Sequence, residues 1–289
     1  MIDEQSADGF QSSVTVNELR RWSLLAAGIA YWANVVRSDE HASTFSILSA
    51  ANSFLSDGAF NIVAWILIAT WAWRGIVSAG PATVRQVVAT LALGLLSAVP
   101  TRQTTIVGLS ILGIILAMSA RTRYGRPIAA LTIGLALEMV WTSTYMLPVH
   151  HAVAIVDAET SGTILRLFGQ AGYGQNNLLI NDSTDFRIEI LAACASSFPI
   201  AGVSMAFLVV MLQWGRFPRF RDWPWMTSSL LASVALTEIR LSVMSLGYGY
   251  YHWLHDGDGA TVYVLSATIL AVLFPILAIR STLRTEALA

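Results

Sequence analysis

Apolar residues run through this chain in long blocks separated by short polar turns. The blocks recur at roughly 17 to 25 residues, the length of a helix that crosses a bilayer. They predict helices over 22–36, 59–74, 84–100, 104–120, 127–147, 188–212, 225–246 and 260–280. Pro127 opens the fifth, where a missing N–H costs nothing. The pattern reads as an all-α, polytopic transmembrane helical bundle of about eight spans, with the chain 1–289 as a single domain. No internal repeat or low-complexity tract interrupts it.

Composition agrees. The chain is 55% hydrophobic and 12% charged, with mean hydropathy +0.60, whereas an ordinary soluble domain carries about 25% charged residues. The net charge of -1 offers no basic footprint for nucleic acid. The opening segment 1–21 is polar and acidic up to Arg20 and Arg21. It lacks the basic start and short apolar core of a cleaved signal peptide, so the first apolar stretch reads as a retained anchor.

All 17 basic residues are arginine, and their distribution orients the spans. With both termini cytoplasmic, the inner side holds Arg20, Arg21, Arg74, Arg85, Arg121, Arg123, Arg126, Arg216, Arg219, Arg221, Arg280 and Arg284. The outer side holds only Arg37, Arg102, Arg166 and Arg187. "RTRYGR" and "GRFPRFRDW" are then cytoplasmic turns that meet lipid headgroups. The two longest connections fall outside, over 38–58 and 148–187. Connections of that length are functional or disordered more often than structural. Within the second, "GTILRLFGQAG" has the spacing of an amphipathic segment lying on the membrane surface.

Three reactive groups come to one level in this topology. Cys194, the sole cysteine, enters the sixth span from outside; Arg240 approaches the outer end of the seventh; His255 and Asp256 sit at the outer mouth of the eighth. A thiol becomes a strong nucleophile when a cation or a base lowers its pKa. Histidine can take the thiol proton and return it to a leaving amine. Arginine can hold the thiolate or an oxyanion. Each group also has a plain reading. A lone membrane cysteine can be packing. Arg240 can snorkel to headgroups or pair with Glu138 or Glu238. His150, His151 and His252 can be interfacial residues. One cysteine excludes an internal disulfide and a cysteine-based metal site, and no cofactor or metal is expected.

The motifs resemble the exosortase/archaeosortase family of membrane cysteine transpeptidases. Ala193-Cys194 leads through small residues into an apolar helix; "TEIRL" places Arg240 in the next one; His255-Asp256 precedes Gly259, as in the family's His-Asp-x-x-Gly block before the last helix. "ILRLFGQAGYGQNNLLI" resembles the family's upstream region, and the resemblance covers about 160–275. It implies a protease or transpeptidase that cleaves the C-terminal sorting signal of secreted proteins at the outer face of the inner (plasma) membrane. Substrates would carry a short motif, a transmembrane helix and a basic tail, and would pass to a surface acceptor. Cys194 would attack, His255 would be the acid and base, and Arg240 the stabiliser, with Asp256, Thr237 and Glu238 in support. The chain departs from the family in reading Ala-Cys-Ala-Ser-Ser-Phe where Ala-Cys-Ser-Gly is usual, and Thr237 where asparagine is usual. Two other classes stay open: a transporter or channel using an Arg/Glu path, and an inactive partner in envelope-polysaccharide export.

Overall fold

The structure, a computed structural model, describes Arg21, 23–28, Tyr31, 59–75, a few positions between 92 and 99, 101–119, 124–143 and 146–287. The expected segment 1–20, the connection 38–58 and most of the span 84–100 lie outside the described residues. The chain divides into two compact units, Met1–Val140 and Trp141–Ala289.

The first unit contains α1 (Ala59–Gly75), α2 (Arg102–Ser119) and most of α3 (Gly125–Trp141). Tyr31 is buried, tilts against Trp65 at 6.0 Å, and donates its hydroxyl to Glu138 at 3.2 Å. Glu138 also stands beside Arg102, whose guanidinium reaches the Met139 carbonyl at 3.1 Å. The Glu138 carboxylate is thus engaged within its own unit.

The second unit departs from the expected pattern. Residues 148–187, expected as an outer connection, hold a 21-residue helix, α4 (Leu147–Leu167), and a three-stranded antiparallel sheet. The strands are β1 (Gly172–Gln175), β2 (Leu178–Asn181) and β3 (Phe186–Glu189), in the order β1-β2-β3. The described residues are mostly α-helical, as expected, with this one small sheet among them. Pro148 sits in the first turn of α4, where its fixed φ suits a helix start. Asn176, at φ 53, makes the tight turn between β1 and β2, a conformation asparagine tolerates. Asn181 closes the next turn, its side-chain oxygen accepting from the Ser183 N–H at 3.1 Å. The same amide donates to the Ser245 carbonyl at 3.2 Å, pinning the sheet to a later helix end.

Small residues let sheet and helix meet. Ala154, Ala158, Ser161 and Gly162 form a buried stripe on α4. Gly174 of β1 lies over it so closely that an added Cβ would stand 2.5 Å from the Glu159 nitrogen and 2.6 Å from the Ala158 carbonyl carbon. Backbone against backbone cannot give way as a flexible side chain does. Gly174→Ala is expected to cost about 3 kcal/mol through overpacking. A lowered melting temperature would report it; melting like the native protein would contradict this contact.

The remaining helices are α5 (Ile200–Gln213), α6 (Trp223–Met244), the short α7 (Tyr248–His255) and α8 (Asp258–Ala287). Among the described residues, the part of α8 from Asp258 to Leu283 is the one helix long and apolar enough to cross a membrane. Phe60–Ala72, Arg102–Met118 and Ile200–Gln213 are shorter apolar helices. The "GRFPRFRDW" turn is a built structure: Asp222, 2% exposed, accepts from Arg216 at 2.7 Å and from the Arg219 N–H at 2.7 Å.

Candidate functional site

Cys194 lies where the sheet hands over to α5. The sequence pattern put it inside a helix that starts at 188, but β3 occupies 186–189 and α5 begins only at Ile200. Pro199 explains the delay, because it lacks an N–H and disfavours helix in the residue before it. Cys194 instead ends a 3₁₀ turn, Ala192–Cys194, with its N–H on the Leu191 carbonyl at 2.8 Å. The half-buried thiol packs against a core of Ala154, Ala158, Leu179, Ile190, Ala195 and Leu241. Burial pushes its pKa up; the Arg240 guanidinium and a backbone hydrogen bond at Leu191 pull it back. Arg240 is therefore the cation that the thiol feels.

The turn after the thiol is anchored from α4. His150, expected at the interface, is 1% exposed and buried beneath this turn, while His151 is exposed. Its Nε2 meets the Trp141 carbonyl at 2.8 Å and its Nδ1 meets Ser197 Oγ at 2.8 Å. A carbonyl only accepts, so Nε2 carries the hydrogen and, in the neutral ring, Nδ1 accepts from the serine. Trp141 Nε1 adds a bond to the Ser197 carbonyl at 2.9 Å. His150 is thus a structural histidine.

Arg240 is held by two contacts. Its Nη2 donates to the Leu254 carbonyl at 3.2 Å, and its guanidinium carbon lies 4.5 Å from the centre of the Tyr263 ring. Tyr263 is fixed in turn by Thr237, whose hydroxyl is 3.0 Å from the tyrosine oxygen. Thr237 acts on Arg240 through this ring, a contact between two helices that spacing along one cannot reveal. Arg240 Nε is buried and has no hydrogen-bond partner among the described residues. Glu238 is not the partner of Arg240: it accepts from Ser161 Oγ at 2.7 Å and meets the Asp157 carboxyl.

His255 ends α7, one residue beyond the carbonyl that Arg240 holds. Its Nδ1 contacts Asp256 Oδ1 at 2.8 Å, and its ring stacks on Tyr251 at 5.0 Å. The carboxylate accepts the Nδ1 hydrogen, which leaves Nε2 as the basic nitrogen in the neutral ring. The hydrogen bond from His255 holds the Asp256 carboxyl below the usual carboxylate range. His252 reaches the same carboxylate at only 3.4 Å and is more exposed. Gly259 completes the block because the Trp253 ring fills the space a side chain would need: an added Cβ would stand 2.6 Å from it. Arg240 thus holds the α7 end and acts on the thiol by its charge, while His255 is not hydrogen-bonded to Cys194.

Comparisons with family models, curated proteins and solved structures find no match. Among the described residues no group of three histidine, cysteine or carboxylate side chains is arranged to hold a metal ion.

Proposed function

We propose that this chain is a membrane-embedded cysteine protease or transpeptidase that acts on the C-terminal sorting signal of secreted proteins. The observation that carries the reading is Arg240. One guanidinium acts electrostatically on the only thiol, grips the backbone next to His255, and among the described residues keeps a buried Nε donor unused. A buried donor without a partner is costly, and the oxygen of a bound substrate would satisfy it.

In the proposed reaction, the Cys194 thiolate attacks the scissile carbonyl carbon. The oxyanion that forms is stabilised by Arg240. Protonated His255 gives its proton to the departing amine as the C–N bond breaks, which leaves a thioester on Cys194. Water or an acceptor amine then attacks the thioester, His255 takes its proton, and the thiolate leaves. Asp256 holds His255 in the tautomer this cycle needs.

Surface chemistry supports the membrane part. Trp214, Phe217, Phe220 and Trp223 are exposed near the start of α6, among Arg219 and Arg221. Tyr248, Tyr250 and Trp253 are exposed just past its end. The 22 residues of α6 rise about 33 Å at 1.5 Å each, close to a bilayer's hydrocarbon thickness, with an aromatic girdle at each end. On α8, Val262, Leu265, Ile269 and Leu273 form an exposed apolar stripe. The bundle of about eight spans, with the thiol facing outward, is part of this proposal.

The test is co-expression with a secreted protein that ends in a short motif, an apolar span and arginines. The expected outcome is loss of that C-terminal segment in membranes that contain this chain. A substrate left at full length beside a folded, membrane-inserted chain would argue against the reading.

A further inference from the structure

Beneath the thiol lies a pair of buried carboxyls. Asp157 of α4 is 2% exposed and Glu238 of α6 is 5% exposed. Both oxygens of Asp157 serve Ser196, two residues past Cys194: Oδ2 accepts from the Ser196 N–H at 2.7 Å and Oδ1 from its Oγ at 2.7 Å. Glu238 lies within electrostatic reach of Asp157. Ser161 Oγ closes the set on Glu238 at 2.7 Å. Asp157 thus holds the turn that carries the thiol, and Glu238 belongs to the helix that carries Arg240.

We infer that Asp157, which grips both the N–H and the hydroxyl of Ser196, is a positioning residue that fixes the turn presenting the Cys194 thiol. Its consequence for substrate processing rests on the cysteine-nucleophile reading above. Its geometric content does not, and the thiol reports it directly. The electrostatic contact between Arg240 and Cys194 is the quantity at stake: Asp157 maintains it, and Asp157→Asn breaks it. An asparagine offers one acceptor where Asp157 offers two, so either the N–H or the hydroxyl of Ser196 loses its partner. Glu238→Gln leaves both contacts of Asp157 with Ser196 in place.

The test is the pH dependence of iodoacetamide alkylation of the full chain in lipid nanodiscs. Cys194 is the sole cysteine, so the label reads one site. Arg240→Gln is expected to move the alkylation midpoint alkaline by about one pH unit in the native background. The same shift is expected with Glu238→Gln present and is expected to vanish with Asp157→Asn present. Ser196→Ala, which removes only the hydroxyl contact, is expected to shrink the shift and serves if Asp157→Asn does not fold. A full Arg240 shift with Asp157→Asn, or with Ser196→Ala where Asp157→Asn does not fold, would overturn the inference. With substrate, Asp157→Asn is expected to lower kcat about tenfold with little change in KM, the signature of misplaced reacting groups. If the native chain processes no substrate yet the alkylation pattern holds, the peptidase reading fails and the positioning role stands.

Discussion

Cys194→Ala is expected to abolish trimming of a co-expressed substrate, a loss of at least about 10³-fold, while the protein still reaches the membrane. The size follows from the absence of any other thiol in the chain. Cys194→Ser is expected to be nearly as inactive, because a hydroxyl is far less acidic than a thiol and Arg240 cannot act as a base to deprotonate it. Folding is expected to survive the alanine: Cys194 is half-buried, and its neighbours Ala195 and Ile190 close the core below it. Removing one sulfur from such a site costs about 1 kcal/mol. The measurement is the ratio of trimmed to full-length substrate at matched membrane levels. Trimming at the native rate by Cys194→Ala would remove the nucleophile and the proposed reaction together.

Arg240→Lys is expected to reduce trimming by about 10² to 10³-fold although the charge is kept, the loss typical of removing one oxyanion donor. A planar fork makes the two contacts of Arg240, one nitrogen on the Leu254 carbonyl and the face on Tyr263, and keeps Nε apart from both. An ammonium can place its charge but cannot reproduce that division of donors. The alkaline limb of the pH–rate profile separates charge from geometry. Arg240 lowers the thiol pKa against the rise caused by burial, so Arg240→Gln shifts that limb to higher pH, whereas Arg240→Lys leaves it closer to native. Equal limbs with equal losses would point to a purely structural arginine. Thr237→Val, which frees Tyr263 without touching Arg240, is expected to be milder, about threefold to tenfold.

The proposed triplet could be read from the sequence because short motifs carry it in order. In the structure the Arg240 charge acts on the Cys194 thiol, and His255 stands one residue past the carbonyl that Arg240 holds. The surrounding frame was not legible in the same way. In α4, His150, His151, Asp157 and Glu159 dilute the apolar signal, so hydropathy reads a connection. Two of those residues are buried because they have partners far along the chain: His150 with Ser197 and Asp157 with Ser196. Hydropathy values each side chain alone and carries no term for a bond across 39 positions. The small-residue spacing Ala154, Ala158, Ser161, Gly162 was the available signal for a closely packed helix. The sheet left signals as well, Asn176-Asn177 and Asn181-Asp182, two asparagine turns around strands of four residues each. Pro199 marked the true start of α5. The Glu138–Tyr31 contact shows the converse: a carboxylate that looked like a partner for Arg240 is engaged within the first unit.

The most direct measurement is mass spectrometry of the Cys194 peptide, isolated from membranes that are trimming a co-expressed substrate and quenched in acid. The expected result is an acyl adduct on Cys194 whose mass matches the new C-terminus of the substrate, which is released by hydroxylamine and is enriched by His255→Ala if deacylation is slowed more than acylation. An unmodified Cys194 peptide throughout active trimming, in the native chain and in His255→Ala alike, would contradict nucleophilic attack by this thiol.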